Sequence, residues 1–265
     1  MDQEKQQQRW PLPFGLQIET LADLGVLICA VATLAGVLYL PQLAGRQLPD
    51  FRPLDAQERK EEFFDFLDPI VAEVSAEIAE QRAFLQRVTL EIDAGQDLSW
   101  LTQQRLDDLA DYYEVETEDA DLETDILPTL RRRIGIVPRS LVLIQAAKES
   151  GWGTSRFAVF GNNLFGQRCY SEACGIEPAG VGPNANFNIA TFGSVDDAIA
   201  SYMRNINTHP QYDGFRRLRQ QLRREGKDLN GLVLADGLLD YSERGEAYVD
   251  EIKAMIAQNA LESND

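Results

Sequence analysis

A chain of 265 residues with 44% hydrophobic residues is long enough to bury a full core, and reads as one domain with an extension or as two small domains. Its net charge of −18 is split unevenly: residues 50–130 carry 23 acids and six bases, whereas residues 131–224 carry six acids and 13 bases. A basic segment could hold an anionic polymer, but no run interleaves basic residues with aromatics, so nucleic acid is not an expected partner. Arg131, Arg132, Arg133 and the arginines from Arg216 to Arg224 read instead as solvated helix faces paired with the acidic segment.

Residues 1–20 form a mixed, mostly polar tail. Leu24 to Leu40 is then an uncharged, mostly apolar run of 17 residues, near the lower limit of roughly 17–25 for a membrane-spanning helix. So long a polar lead does not suit a cleaved signal peptide, so residues 21–42 are predicted to be a retained transmembrane anchor; a buried core helix is the alternative. Lys5 and Arg9 before the run are matched by Arg46 and Arg52 after it, so charge counting does not orient the anchor. Residues 43–54, with Pro49 and Pro53, read as a linker.

From Asp55 the pattern is helical: Leu67, Val71, Val74, Ile78, Leu85, Val88 and Ile92 recur at spacings of three, four and seven. Pro69 marks a kink or restart. Ser99 can cap a second helix that turns Leu101, Leu106 and Leu109 inward, and a third piece runs from Leu122 to Arg133. Nothing catalytic stands out in 55–135, which reads as an acidic helical extension serving as spacer or support. Residues 136–259 make the next domain. After Ile136-Val137-Pro138, Ser140 can cap a helix carrying Leu141, Leu143, Ile144 and Ala147 and ending at Glu149. Residues 164–193 look like loops and a small sheet, with Phe187 to Phe192 as a short alternating run. Ser194-Val195-Asp196-Asp197 resembles a capping box opening a helix through Ile206, and further helices end near Gln258. The expected fold class is α+β, predominantly α-helical.

Glu149 is the most informative residue. It stands at the end of an apolar helix, directly before Gly151-Trp152-Gly153, where partial desolvation raises a carboxyl pKa. The helix dipole disfavours a negative charge at that end, so the position calls for a chemical reason. Glycosidases need such a group to protonate the departing sugar oxygen. Cys29 falls in the apolar run as packing. Cys169 and Cys174 are close enough in sequence to close a small loop. As a disulfide they place the protein in an oxidising compartment, and as free thiols in a cytosol. With His209 as the sole histidine, no zinc site is expected, and no cofactor is called for.

Glu149-Ser150-Gly151-Trp152-Gly153-Thr154-Ser155, then Gly161-Asn162-Asn163-Leu164-Phe165-Gly166 and Asn207-Thr208-His209-Pro210-Gln211-Tyr212, resemble the glucosaminidase domain of glycoside hydrolase family 73. Cys169 to Gly175 and Tyr241-Ser242-Glu243-Arg244-Gly245-Glu246 resemble its Bax-type bacterial subgroup, the likeness running from roughly Glu62 to Asn259. The resemblance implies a lysozyme-like fold with a small β lobe and cleavage of peptidoglycan after N-acetylglucosamine, at its bond to N-acetylmuramic acid. It implies Glu149 as catalytic acid, Tyr212 close to the reacting sugar, and Asn163, Leu164 and Phe165 lining the groove. Trp152 and Tyr170 are further candidates for substrate contact. The family's second acid lies in the β lobe, where Glu172 is preferred over Glu177. With the anchor, it places the protein in a bacterial inner membrane, single-pass, with the catalytic domain in the periplasm.

An inverting mechanism needs a second carboxylate roughly 6.5–9.5 Å from the first. A substrate-assisted route needs none, because the acetamido group attacks and Tyr212 can orient it. Two rival readings stand beside the hydrolase. A lytic transglycosylase shares the Glu-Ser pair but usually carries a Gly-Leu-Met-Gln-like turn where this chain has Asn-Asn-Leu-Phe-Gly. A non-enzymatic envelope protein would bind glycan or a partner through the acidic segment.

Overall fold

The computed structural model describes residues 45–171, 174–178, 186–261 and 265. The tail and anchor of residues 1–42, and Glu172, lie outside the described residues. No helix among the described residues is long and apolar enough to cross a membrane. The chain is predominantly helical, with one small two-stranded sheet.

Helix α1, Ala56–Asp93, starts where Asp55 accepts hydrogen bonds from the amides of Gln57 and Glu58. It runs for 38 residues through Pro69 without stopping; the predicted restart is absent because the buried apolar stripe on either side of the proline holds the helix in place. Helix α2, Trp100–Tyr112, is capped by Ser99 as expected, yet Leu101 faces solvent while Leu106 and Leu109 are buried. A π-helical turn, Leu122–Ile126, leads into α3, Leu127–Arg133. Then come α4, Arg139–Ser150, and α5, Arg156–Gly161. Strands β1, Arg168–Cys169, and β2, Asn188–Ile189, pair antiparallel, with Ile176 bridged to Ile189 beside them. Helix α6, Val195–Thr208, is capped by Ser194. The 3-10 turn Pro210–Tyr212, α7, Asp213–Arg224, α8, Gly231–Leu234, the 3-10 segment Ala235–Tyr241 and α9, Glu246–Gln258, complete the order.

The acidic segment is not an appendage to a separate catalytic domain. Residues 46–265 form one compact unit, and α1 lies against α3, α4 and α6. Phe63, Leu67, Ile70 and Val71 of α1 share one core with Leu141, Val142 and Ile144 of α4. Each such side chain contributes about 1.5–3 kcal/mol on burial, against about 0–1 kcal/mol for an exposed ion pair. The apolar seam therefore fixes α1, and its acids decorate the outer face. The expected linker is also docked from Arg46 onward. Arg46 pairs with Asp196 and Glu73, its carbonyl accepts from the Val195 amide, and Phe51 is buried against Phe63 and Phe66.

The arginines are not all solvated faces either. Arg219 is 0% exposed and donates to the carbonyls of Arg132, Arg133, Gly135 and Ile136. A side chain at Gly135 would collide with that guanidinium. Arg216 caps the end of α6 through the carbonyls of Ile206 and His209. These two cations satisfy helix C-terminal carbonyls, whereas Arg131, Arg217 and Arg224 face solvent as expected. Ser140 does not cap α4; its amide and hydroxyl both donate to the carboxylate of Asp265.

Leu67→Ala should lower the unfolding free energy by about 2–5 kcal/mol and shift a single cooperative transition in urea. A second, independent transition would show that the acidic segment folds apart from the rest.

Candidate active site

Helix α4 is buried from Ser140 to Ala147 and again at Ser150. Its last turn must reverse sharply, and Gly151, Trp152 and Gly153 do so in three successive left-handed conformations, with φ of 59°, 59° and 72°. Ser150 Oγ donates to the Ala146 carbonyl at 2.6 Å and accepts from the Gly153 amide at 2.8 Å, which locks the reversal. A Cβ on Gly153 would come within 2.7 Å of the Phe51 ring, so glycine is required there by space as well as by φ. Trp152 accepts the unfavourable φ because its ring packs edge-on to Phe63 and Phe64, at 5.8 and 5.3 Å, beneath the Lys60 ammonium. That placement makes Trp152 a strut between the turn and α1.

Glu149 is thereby held at the mouth of the helix. It remains accessible to solvent, as a group that meets a polymer must. Protein atoms crowd it closely enough that desolvation raises its pKa above the usual carboxylate range. Its Oε1 accepts a hydrogen bond of 2.9 Å from the Tyr248 hydroxyl, which opposes the rise, as does the neighbouring Lys148 ammonium. The Glu251 charge works in the other direction, and Lys148 and Arg244 both pair with it at 2.6 and 2.7 Å.

Tyrosines wall the site. Tyr248 stacks on Tyr241 at 5.2 Å, and Tyr241 lies 5.9 Å from Tyr212. Burial, and then the charge of Glu149, push the Tyr212 hydroxyl up to about 12, so it stays a proton donor at neutral pH. The structure thus brings Tyr212 into the cluster around Glu149. Beside it opens a cleft of about 550 Å³ lined by Gln211, Leu239, Asp240, Tyr241, Ser242, Glu243 and Gly245. The subgroup motif Tyr241 to Glu246 contributes most of that lining. Behind Tyr248, Tyr202 donates to Gln145 Oε1, and Gln145 Nε2 donates to the Tyr248 oxygen at 3.0 Å.

Other expected site residues fall elsewhere. Asn163 does not line a groove: its amide donates to the carbonyls of Gln167 and Ala190 and accepts from the amides of Phe165 and Gln167. Leu164 is buried, and Phe165, 5% exposed, stacks on Tyr202 at 4.0 Å. Asn163 therefore ties its own loop together, and Phe165 packs against the tyrosine that bonds Gln145. Tyr170 is 70% exposed and free to meet a ligand. Cys169 and Cys174 are joined in a disulfide with Cα atoms 6.1 Å apart; Glu172 within that loop is outside the described residues. Glu177 is exposed, with its carbonyl accepting from Arg156. No group of three or more His, Cys, Asp or Glu side chains suited to a metal occurs among the described residues.

Sequence reasoning missed Gln145, Tyr202 and Tyr248. Gln145 carried a signal, being the one polar residue inside Leu141 to Ala147 and one helical turn before Glu149. Tyr248 lies 99 positions from Glu149 and had none.

A solvent-accessible acid of raised pKa within a cluster of tyrosines has the character of a glycoside hydrolase site. The chain belongs to the glucosaminidase family: the family described as mannosyl-glycoprotein endo-beta-N-acetylglucosaminidase matches residues 125–261. It is 33% identical over 217 residues to protein Bax of Escherichia coli (strain K12), covering 80% of this chain and 74% of that protein. It is also similar to the catalytic domain of the autolysin Auto from Listeria monocytogenes, with a TM-score of 0.34 and 15% identity over 68% of this chain and 96% of that one.

Gly153→Ala should cost roughly 2–4 kcal/mol of stability, combining a left-handed alanine with overpacking against Phe51. Chemical denaturation of the purified variant checks this, and an unchanged midpoint would show that the turn is slack.

Proposed function

We propose that the protein is a peptidoglycan hydrolase that cleaves the bond between N-acetylglucosamine and N-acetylmuramic acid, with Glu149 as general acid. Family membership supports the chemistry, and the motifs around Glu149, Asn163 and Tyr212 support the substrate. The single observation that carries the reading is the raised pKa of an accessible Glu149 with its Oε1 held by Tyr248. A glycosidic oxygen cannot leave as an alkoxide at useful rates. Glu149 gives it a proton, the bond to the anomeric carbon breaks with its electron pair remaining on the departing oxygen, and water supplies the hydroxyl that replaces it.

The group on the other face of the sugar is either a carboxylate, for which Glu172 in the disulfide loop is preferred over Glu177, or the acetamido group of the substrate steered by Tyr212. Tyr170, exposed to solvent, is proposed to receive a sugar face. The Cys169–Cys174 bond supports an oxidising compartment. With residues 21–42 as an inner-membrane anchor, the catalytic unit would work in the periplasm and hydrolysis would be confined to the nearby wall.

Glu149→Gln should reduce hydrolysis of purified peptidoglycan by about a hundredfold to ten-thousandfold, and wild-type digests should show reducing N-acetylglucosamine ends by mass spectrometry. Anhydromuramic ends would identify a lytic transglycosylase, and binding without cleavage a non-enzymatic envelope protein. The rate should fall as pH rises through the raised pKa of Glu149, because the acid works protonated, so the basic limb should lie above the usual carboxylate range. Glu172→Gln and Glu177→Gln separate the two routes: a large loss in either favours a two-carboxylate mechanism, and near-normal rates in both favour the acetamido route.

A further inference from the structure

We infer that Tyr202 and Gln145 are positioning residues that give the hydrogen bonds behind Glu149 a fixed direction, so that Tyr248 always donates to Oε1 and the acid's own proton resides on Oε2. The inference deepens the reading of Glu149 as the acid and rests on it.

The direction is set at the buried end of the chain. The Tyr202 hydroxyl is enclosed in the core, and among the described residues its hydrogen bond goes to Gln145 Oε1. A phenol carries one hydrogen, and leaving that hydrogen without an acceptor inside the protein is costly. Gln145 must therefore turn its oxygen toward Tyr202 and its NH2 toward Tyr248, 3.0 Å away. The Tyr248 oxygen is then an acceptor, and its single hydrogen points to Glu149 Oε1 at 2.9 Å. Reversing the chain would flip the Gln145 amide and strand the Tyr202 hydrogen. With Oε1 already accepting, the proton of the neutral acid sits on Oε2. When Glu149 gives that proton away, Tyr248 remains in place to hold the carboxylate, and no hydroxyl has to reorient during the step.

The other charged and titratable groups around Glu149 are Lys148 on its own helix, Glu251 with Arg244 at the α9 end, and Tyr212 and Tyr241 from the 3-10 segments. Lys60 of α1 stands over the neighbouring Trp152. Tyr202→Phe changes none of them, so a change it causes in the ionisation of Glu149 reports the direction of the chain.

The test is a carboxyl carbon-13 NMR titration of the full-length protein in detergent, labelled at glutamate, with the Glu149 resonance assigned by Glu149→Gln, alongside the pH dependence of kcat. Tyr248→Phe should move the Glu149 midpoint and the basic limb of kcat upward together by about one pH unit, the size expected from losing one hydrogen bond to a charged group. Tyr202→Phe, which touches neither Glu149 nor substrate, should move both in the same direction by less, because Gln145 is then free to turn its oxygen toward Tyr248; if that variant does not fold, Tyr202→Met is measured in its place and should do the same. A midpoint that stays or falls in the Tyr202 variant overturns the inference. Midpoints that move as expected while Glu149→Gln retains full hydrolysis uphold the directed chain and overturn the role of Glu149 as acid.

Discussion

Helix α4 is enclosed on every side along eight consecutive residues, from Ser140 to Ala147, and the rest of the molecule is arranged around that constraint. A helix so buried has to have each polar side chain satisfied by a neighbour. Gln145 finds Tyr202 and Tyr248, Ser150 finds the backbone on either side of the turn, and the start of the helix finds Asp265. Water is reached at the last turn, by Lys148 and Glu149. The site is therefore the place where the central helix leaves the core, and its acid inherits low solvation from the packing that precedes it.

The turn after Glu149 connects this helix to both ends of the chain's described course. Phe51, from the segment just before α1, closes against Gly153, and Phe63 and Phe64 of α1 hold Trp152 in its left-handed backbone. From the other direction, α9 supplies Tyr248 and the Glu251 that engages Lys148. Elements far apart in sequence thus converge on four residues. The acidic helix acts on the site by fixing the backbone that carries it.

Much of this was legible in the sequence, and for physical reasons. The stripe from Leu67 to Val88 announced a long amphipathic helix, Ser99 and Ser194 announced caps, and Glu149 before a Gly-Trp-Gly turn announced a carboxyl group held at the end of a buried helix. What could not be read was partnership. An arginine's charge does not reveal whether it faces water or, as with Arg219, closes the end of a buried helix. An asparagine in a loop motif looks like a ligand contact until its amide is found stitching Gln167 to Ala190. Pro69 looked like a break because its effect on backbone hydrogen bonds is local, while the burial that overrides it is tertiary. Tyr248 was invisible because its importance comes wholly from a contact spanning most of the fold.

The central claim is that Glu149 serves by donating a proton to a leaving oxygen. It is tested most directly by making that proton unnecessary. Wild type and Glu149→Gln can be compared on a peptidoglycan oligosaccharide and on the matching dinitrophenyl glycoside, whose leaving group departs without protonation. The variant is expected to lose orders of magnitude on the first and almost nothing on the glycone–aryl cleavage of the second. An equal loss on both substrates would contradict the account and assign Glu149 some role other than acid.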